Sequence, residues 1–175
     1  MKLKKTLAII NQMQAAGIIG RYAIGGAMGA TFYLEPVATV DVDVFVDIHA
    51  PPGQLIATPK PIYDYLTVRG CKAEGEYLVI EGWPVQFLPS TGPLVEEAIA
   101  QARETEVEEE RASVFSAEHL VAIALQTGRA KDKARILQFA EAGVLDQQRL
   151  NDILKRHRLV DRWERFERQF LDGES

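Results

Sequence analysis

Thr39-Val-Asp-Val-Asp-Val-Phe-Val-Asp-Ile48 is the stretch that decides the fold. Val40, Val42, Val44, Val46 and Ile48 alternate with Asp41, Asp43, Phe45 and Asp47, a period of two that predicts a β-strand with one face in the core. Positions i and i+2 of a strand point the same way, so Asp41 and Asp43 are expected on one face. Two carboxylates about 4 Å apart repel by about 1 kcal/mol in water and about 4 kcal/mol at the effective dielectric of a protein surface. A divalent cation offsets that repulsion, since Mg²⁺ takes oxygen ligands, binds through one or two carboxylates and leaves its other positions to phosphates and water. The competing reading is a strand whose polar face meets solvent, with the carboxylates splayed apart.

Upstream, Tyr22-Ala-Ile24 reads as a short strand running into Gly25-Gly26. A glycine turn there lets a backbone approach a phosphate, although Gly-Gly after a strand also serves as a plain tight turn. A dinucleotide-binding loop would need its acid at the far end of the next strand. Here the acids stand at its head and the chain opens with a helix, so that reading ranks well below the metal-ion one.

The remaining elements follow from periodicity and breakers. Residues 2–18 place Leu3, Leu7, Ile10 and Met13 at helical spacing, and Ala27 to Leu34 reads as a small-residue helix before Pro36. After Pro51-Pro52-Gly53 come a helix over 61–68, strands near Tyr77–Ile80 and Val85–Leu88 joined by a Glu81-Gly82 hairpin turn, and a helix from Pro93 to Ala102. Glu104 to Glu110 reads as one charged edge strand. From Ser116, a candidate N-cap, the period becomes 3.6: helices are expected from Ser116 to Gly128, over Lys131–Ala142, Asp146–His157 and Leu159–Leu171. This predicts an α+β fold: an α+β core over 1–112, a mixed sheet flanked by helices, with a C-terminal helical region over 113–175 packed on it as a bundle.

Composition narrows the function. The net charge of −5 argues against non-specific coating of nucleic acid, which requires a basic surface. Residues 129–168 nevertheless hold 11 Lys and Arg against 7 Asp and Glu, so the basic surplus follows the acidic part that carries the aspartate pair. No apolar run approaches a membrane span, and the first residues lack the apolar stretch of a signal peptide, which sets a cytoplasmic location as the expectation. The single Cys71 excludes an internal disulfide. His49, His119 and His157 are scattered without metal-ligand spacing, and Ser90 and Ser116 lack a Gly-x-Ser-x-Gly elbow. Trp163, Phe166 and Phe170 read as a packed helix face.

Tyr22-Ala-Ile-Gly-Gly26, fourteen residues and then Asp41-Val-Asp43 resembles the signature of the nucleotidyltransferase superfamily. The closer likeness is to the abortive-infection nucleotidyltransferases that act as toxins in bacterial toxin–antitoxin pairs, through Thr39-Val-Asp-Val-Asp43 and Gly128-Arg-Ala-Lys-Asp132. The resemblance implies a minimal polymerase-β-like core that binds a nucleoside triphosphate on Mg²⁺ or Mn²⁺ and moves a nucleotide to an RNA or protein hydroxyl, with an antitoxin as a partner. In that scheme Asp41 and Asp43 hold the metal, with Glu81 or Gln86 as a candidate third ligand. Gly25, Gly26 and Thr39 face the nucleotide, Arg129 or Lys131 neutralises the triphosphate, and Asp132 orients the lysine or assists the nucleophile. Three positions depart from the family pattern: Gln86 stands where a third carboxylate is usual, Val37 where an arginine is common and Ala124 where a lysine is frequent. The second expectation is therefore a catalytically reduced module that binds nucleotide or a partner protein without turnover.

Overall fold

A computed structural model describes residues 3–36, 38–50 and 52–173; Lys2, Val37 and Pro51, with the expectations placed on them, lie outside the described residues. The chain divides into two compact units, one made of Met1–Gly29 with Val37–Phe115 and the other of Ala30–Pro36 with Ser116–Ser175.

The first unit is built on the valine alternation. Val42, Val44 and Val46 are fully buried while Asp43 and Phe45 are half-buried, in strand β2, Val42–Val46. Burying each valine contributes about 1.5–3 kcal/mol. The strand is shorter than the sequence alternation, because it persists only where its neighbours offer backbone: β1, Tyr22–Gly25, pairs antiparallel on one side, and β5, Trp83–Pro89, pairs parallel on the other. Asp41 consequently stands just ahead of the ladder and not within it, a correction to the expectation that both aspartates are strand residues.

Seven strands form one mixed sheet in the order β3-β4-β5-β2-β1-β7-β6. Strand β4, Tyr77–Ile80, joins β5 through Glu81 and Gly82, with φ of 51° and 88°, the two positive values that a two-residue I′ hairpin requires. Two strands escaped the sequence reading. Strand β3, Lys72–Glu74, is a short exposed edge without alternation. The acidic segment is a hairpin rather than a single strand: β6, Arg103–Val107, turns at Glu108 and Glu109, both at positive φ without glycine, into β7, Glu110–Val114. Strand β7 then runs parallel to β1, which leaves β6 with its exposed Glu104 and Glu106 as the outer edge.

Three longer helices accompany the sheet: α1, Leu3–Ala15, α3, Lys60–Val68, and α4, Pro93–Ala100. Helix α1 buries Leu7, Ile10 and Met13, and its Thr6 hydroxyl donates to the Ile80 carbonyl at 2.9 Å. Helix α2, Gly26–Ala30, ends four residues before the expected Leu34, consistent with the poor helix propensity of its two glycines.

The second unit is helical. Helix α5, Ala117–Thr127, is capped by Ser116, whose Oγ accepts from the His119 amide, and ends at Gly128 in the left-handed region. Helix α6, Ala130–Ala142, is followed by α7, Gln147–Arg156, capped by Asp146. Helix α8, Val160–Phe166, continues into a π-helical turn, Glu167–Leu171, where one continuous helix was expected. Leu120, Ile136, Phe139, Leu150, Ile153, Trp163 and Phe166 form its core. Among the described residues no helix is long and apolar enough to cross a membrane.

Candidate functional site

The sheet register assembles one row of residues from three strands. Asp43 opposes Gly25 on β1 and Gln86 on β5. Directly opposed residues share a face, so glycine, carboxylate and amide lie side by side. Neither glycine of the turn has room for a side chain. At Gly26, where φ is +59°, a Cβ would overlap the Asp43 carboxylate oxygen and lie 3.1 Å from its Cγ. At Gly25 it would come within 2.6 Å of Phe45 and 2.9 Å of Phe115, whose rings pack with centroids 4.9 Å apart. The two glycines admit different neighbours: Gly26 lets backbone close on the Asp43 carboxylate, and Gly25 makes room for the Phe45 and Phe115 rings.

A second line of contacts reaches Asp41. Leu78 pairs with Val85, so Tyr77, one rung further along the antiparallel β4–β5 ladder, falls beside Gln86. The Tyr77 hydroxyl donates to Asp41 Oδ2 at 3.1 Å. That hydrogen bond, followed by the negative charges of Asp41, Asp43 and Glu76, raises the Tyr77 pKa above the usual phenol value. Gln86 Nε2 in turn donates to Glu76 Oε2 at 3.2 Å, which leaves the amide oxygen as a neutral donor in the same row. Tyr77 and Glu76 were not singled out from the sequence. Their only signal is the pairing register, which no local spacing reveals.

The donor set suits a hard cation that shares its coordination with substrate. Asp43 shares its row with one amide oxygen and Asp41 stands just ahead of it, so the set presents oxygen atoms only. Among the described residues no group of three or more His, Cys, Asp or Glu side chains is arranged to hold a metal ion. Mg²⁺ tolerates this, because it commonly binds through one or two carboxylates and completes its shell with phosphate oxygens and water. Glu81 sits at the β4–β5 turn, exposed and 4.0 Å from Lys5 Nζ, beside a cavity of about 270 Å³ also lined by Arg69, Cys71 and Lys72. Partial burial, then the charge of Glu81, pushes the Cys71 thiol up, which keeps it protonated and a poor nucleophile. Thr39 lies half-buried, its hydroxyl 4.0 Å from Met28 Sδ.

Within the helical unit, Arg129, Lys131 and Asp132 gather at the start of α6. Asp132 is 1% exposed and closes a capping box, accepting from the Arg129 amide at 3.2 Å and from its Nε at 2.7 Å, with Arg135 Nη1 at 3.6 Å. Its ion-pair partners are thus two arginines, while Lys131 is exposed. His119 is fully buried with its Nδ1 2.7 Å from Ser116 Oγ, a helix-capping pair with no open approach.

No protein-family model matches the chain, and no curated protein matches it. Solved structures with a similar fold include an antigenic nucleotidyltransferase-like protein from Paracoccidioides brasiliensis, 12% identical with a TM-score of 0.53 over 81% of this chain and 75% of that one. Another is ANT(2")-Ia in complex with adenylyl-2"-tobramycin, 13% identical with a TM-score of 0.51 over 90% of this chain and 98% of that one. The fold is nucleotidyltransferase-like: a mixed sheet flanked by helices, followed by helices only.

Proposed function

We propose that the chain is a nucleotidyltransferase that takes a nucleoside triphosphate with Mg²⁺ or Mn²⁺ at Asp41 and Asp43 and passes a nucleotide to an RNA or protein hydroxyl. The observation that carries this reading is the closure of Gly26 on the Asp43 carboxylate, with Asp41 held by Tyr77. A strand that merely displays carboxylates to solvent needs neither a side-chain-free turn against one of them nor a hydroxyl fixed on the other. The bound metal would neutralise the triphosphate and stabilise the attacking and departing oxygens. Asp43 is the ligand fixed by the ladder; Asp41, outside the ladder, is the ligand Tyr77 positions. Gly25 and Gly26, which carry no side chain, would bring backbone near the phosphates, and Thr39 would supply a hydroxyl for the nucleotide. Arg129 and Lys131 are assigned the neutralising charge and Asp132 the positioning of Arg129, on the strength of the Gly128-Arg-Ala-Lys-Asp132 motif and the capping box. The ANT(2")-Ia complex supports the direction of transfer, since its ligand is an adenylyl group joined to tobramycin. The toxin role with a cognate antitoxin rests on the sequence motifs.

One observation favours a second reading, a module that binds nucleotide without turnover. The residue opposite Asp43 is Gln86, whose amide adds no negative charge to hold a second metal. Incubation with labelled nucleotides, Mn²⁺ or Mg²⁺, and bulk tRNA or protein separates the two. Label transferred by the wild type and lost in Asp41→Ala with Asp43→Ala supports the enzyme. Nucleotide-dependent thermal stabilisation without transfer, abolished by the same pair, supports the module. Neither signal would overturn both.

A further inference from the structure

We infer that the helical unit carries a binding site of its own for an anion built on a flat apolar ring, an aryl phosphate in its simplest form. A cavity of about 410 Å³ opens between α5, α6 and α8 with its π-helical turn. That volume lies in the range of small-molecule sites. Its floor is apolar, formed by Leu125, Ile136 and Phe166, and its rim holds three cations, Lys133, Arg162 and Arg165.

None of the three cations has a carboxylate partner among the described residues. Arg162 Nη1 donates to the Gln126 carbonyl at 2.8 Å, and Arg165 Nε to the Asp161 carbonyl at 3.4 Å. These bonds orient the guanidinium groups without neutralising them. All three are exposed on one rim, and a chain whose net charge is −5 sets no carboxylate against them among the described residues. Arg165 even takes the backbone oxygen of Asp161, not its carboxylate. An anion in the cavity would meet all three, and guanidinium groups suit phosphate or carboxylate oxygens through paired donors.

The ring requirement comes from the wall. Trp163 and Phe166 are core residues, as the helical spacing predicts, but Phe170 is half-exposed and tilts 42° to Phe166 with centroids 4.9 Å apart. Phe170 and Gln169 lie on the π-helical turn and line the cavity. Such turns are rare and concentrate at functional sites. A planar ligand would lie against these rings, with its acid group at the arginines.

The inference does not rest on nucleotidyl transfer, and its test is run with EDTA present so that the aspartate pair stays silent. The full chain is titrated by calorimetry with 4-methylumbelliferyl phosphate, 4-methylumbelliferone and inorganic phosphate. The aryl phosphate should bind at least about tenfold more tightly than either fragment. Arg162→Gln with Arg165→Gln, both exposed, should weaken it by a similar factor at an unchanged urea midpoint, as should Phe170→Ser; Asp41→Ala with Asp43→Ala should leave it unaltered. Equal affinity for aryl phosphate and inorganic phosphate, or retention of affinity in the double arginine variant, would overturn the inference.

Discussion

Replacing Gly26 with alanine separates a turn from a site. Gly17 provides the comparison: it sits at φ +72° with nothing within 4 Å of an added Cβ, so Gly17→Ala meets backbone strain alone. A left-handed non-glycine residue costs about 1–2 kcal/mol, and the stiffer unfolded chain returns about 0.4–1 kcal/mol, leaving a net loss near 1 kcal/mol. Gly26→Ala carries the same backbone cost at φ +59° and also drives a methyl group into the Asp43 carboxylate. Overpacking of that kind adds about 1–3 kcal/mol, for a total of about 2–4 kcal/mol. Urea unfolding followed by circular dichroism, with equal m-values, reads both. The decisive arm is the double variant: Asp43→Ala removes the atoms that collide, so Gly26→Ala with Asp43→Ala should be more stable than the sum of the singles by about 1–3 kcal/mol. Additivity to within about 0.5 kcal/mol, or equal losses at Gly17 and Gly26, would refute the claim that the turn closes on Asp43.

Tyr22 is 2% exposed, and burial is the main cause that lifts its pKa to about 12. Because this exceeds the unfolded value of 10, its stabilisation is complete below pH 10 and is lost as pH rises towards 12; about 3 kcal/mol should disappear over that window, and the stability of wild type minus that of Tyr22→Phe should fall by this amount. Ser116→Ala removes the cap of α5 and a partner of buried His119, and should cost about 2 kcal/mol in chemical denaturation. Asp132→Asn leaves Arg129 and Arg135 facing a neutral amide and should cost about 1–3 kcal/mol, with Asp132→Ala worse in the same assay. Tyr77→Phe should weaken metal-dependent nucleotide binding several-fold, less than Asp41→Ala does, and leave thermal stability near wild type.

The fold was legible where period and punctuation agree. The valine alternation placed β2, the Glu81-Gly82 dipeptide placed the β4–β5 turn, and Ser116, Gly128 and Asp146 marked helix ends through side-chain caps and left-handed conformations. The β6–β7 hairpin was missed because its turn uses two glutamates at positive φ, where local chemistry leads one to expect glycine or asparagine. Strand β3 was missed because an exposed three-residue edge has no apolar face to alternate. At the site, the glycines and Asp43 could be read from spacing because they sit on adjacent strands close in sequence. Tyr77 and Glu76 could not, since they reach the aspartates and Gln86 only through the β4–β5–β2 register over more than thirty residues for Tyr77 and Asp41. The π-helical turn was equally hidden, because its sequence keeps helical periodicity.

Metal-dependent triphosphate binding tests the central claim most directly. Calorimetric titration of the chain with each of the four ribonucleoside triphosphates, in Mg²⁺ and again in EDTA, should show at least one that binds with metal and weakens by at least about tenfold without it. Asp41→Ala with Asp43→Ala should reproduce the loss at an unchanged unfolding midpoint. Triphosphate affinity indifferent both to the metal and to the two aspartates would contradict the account.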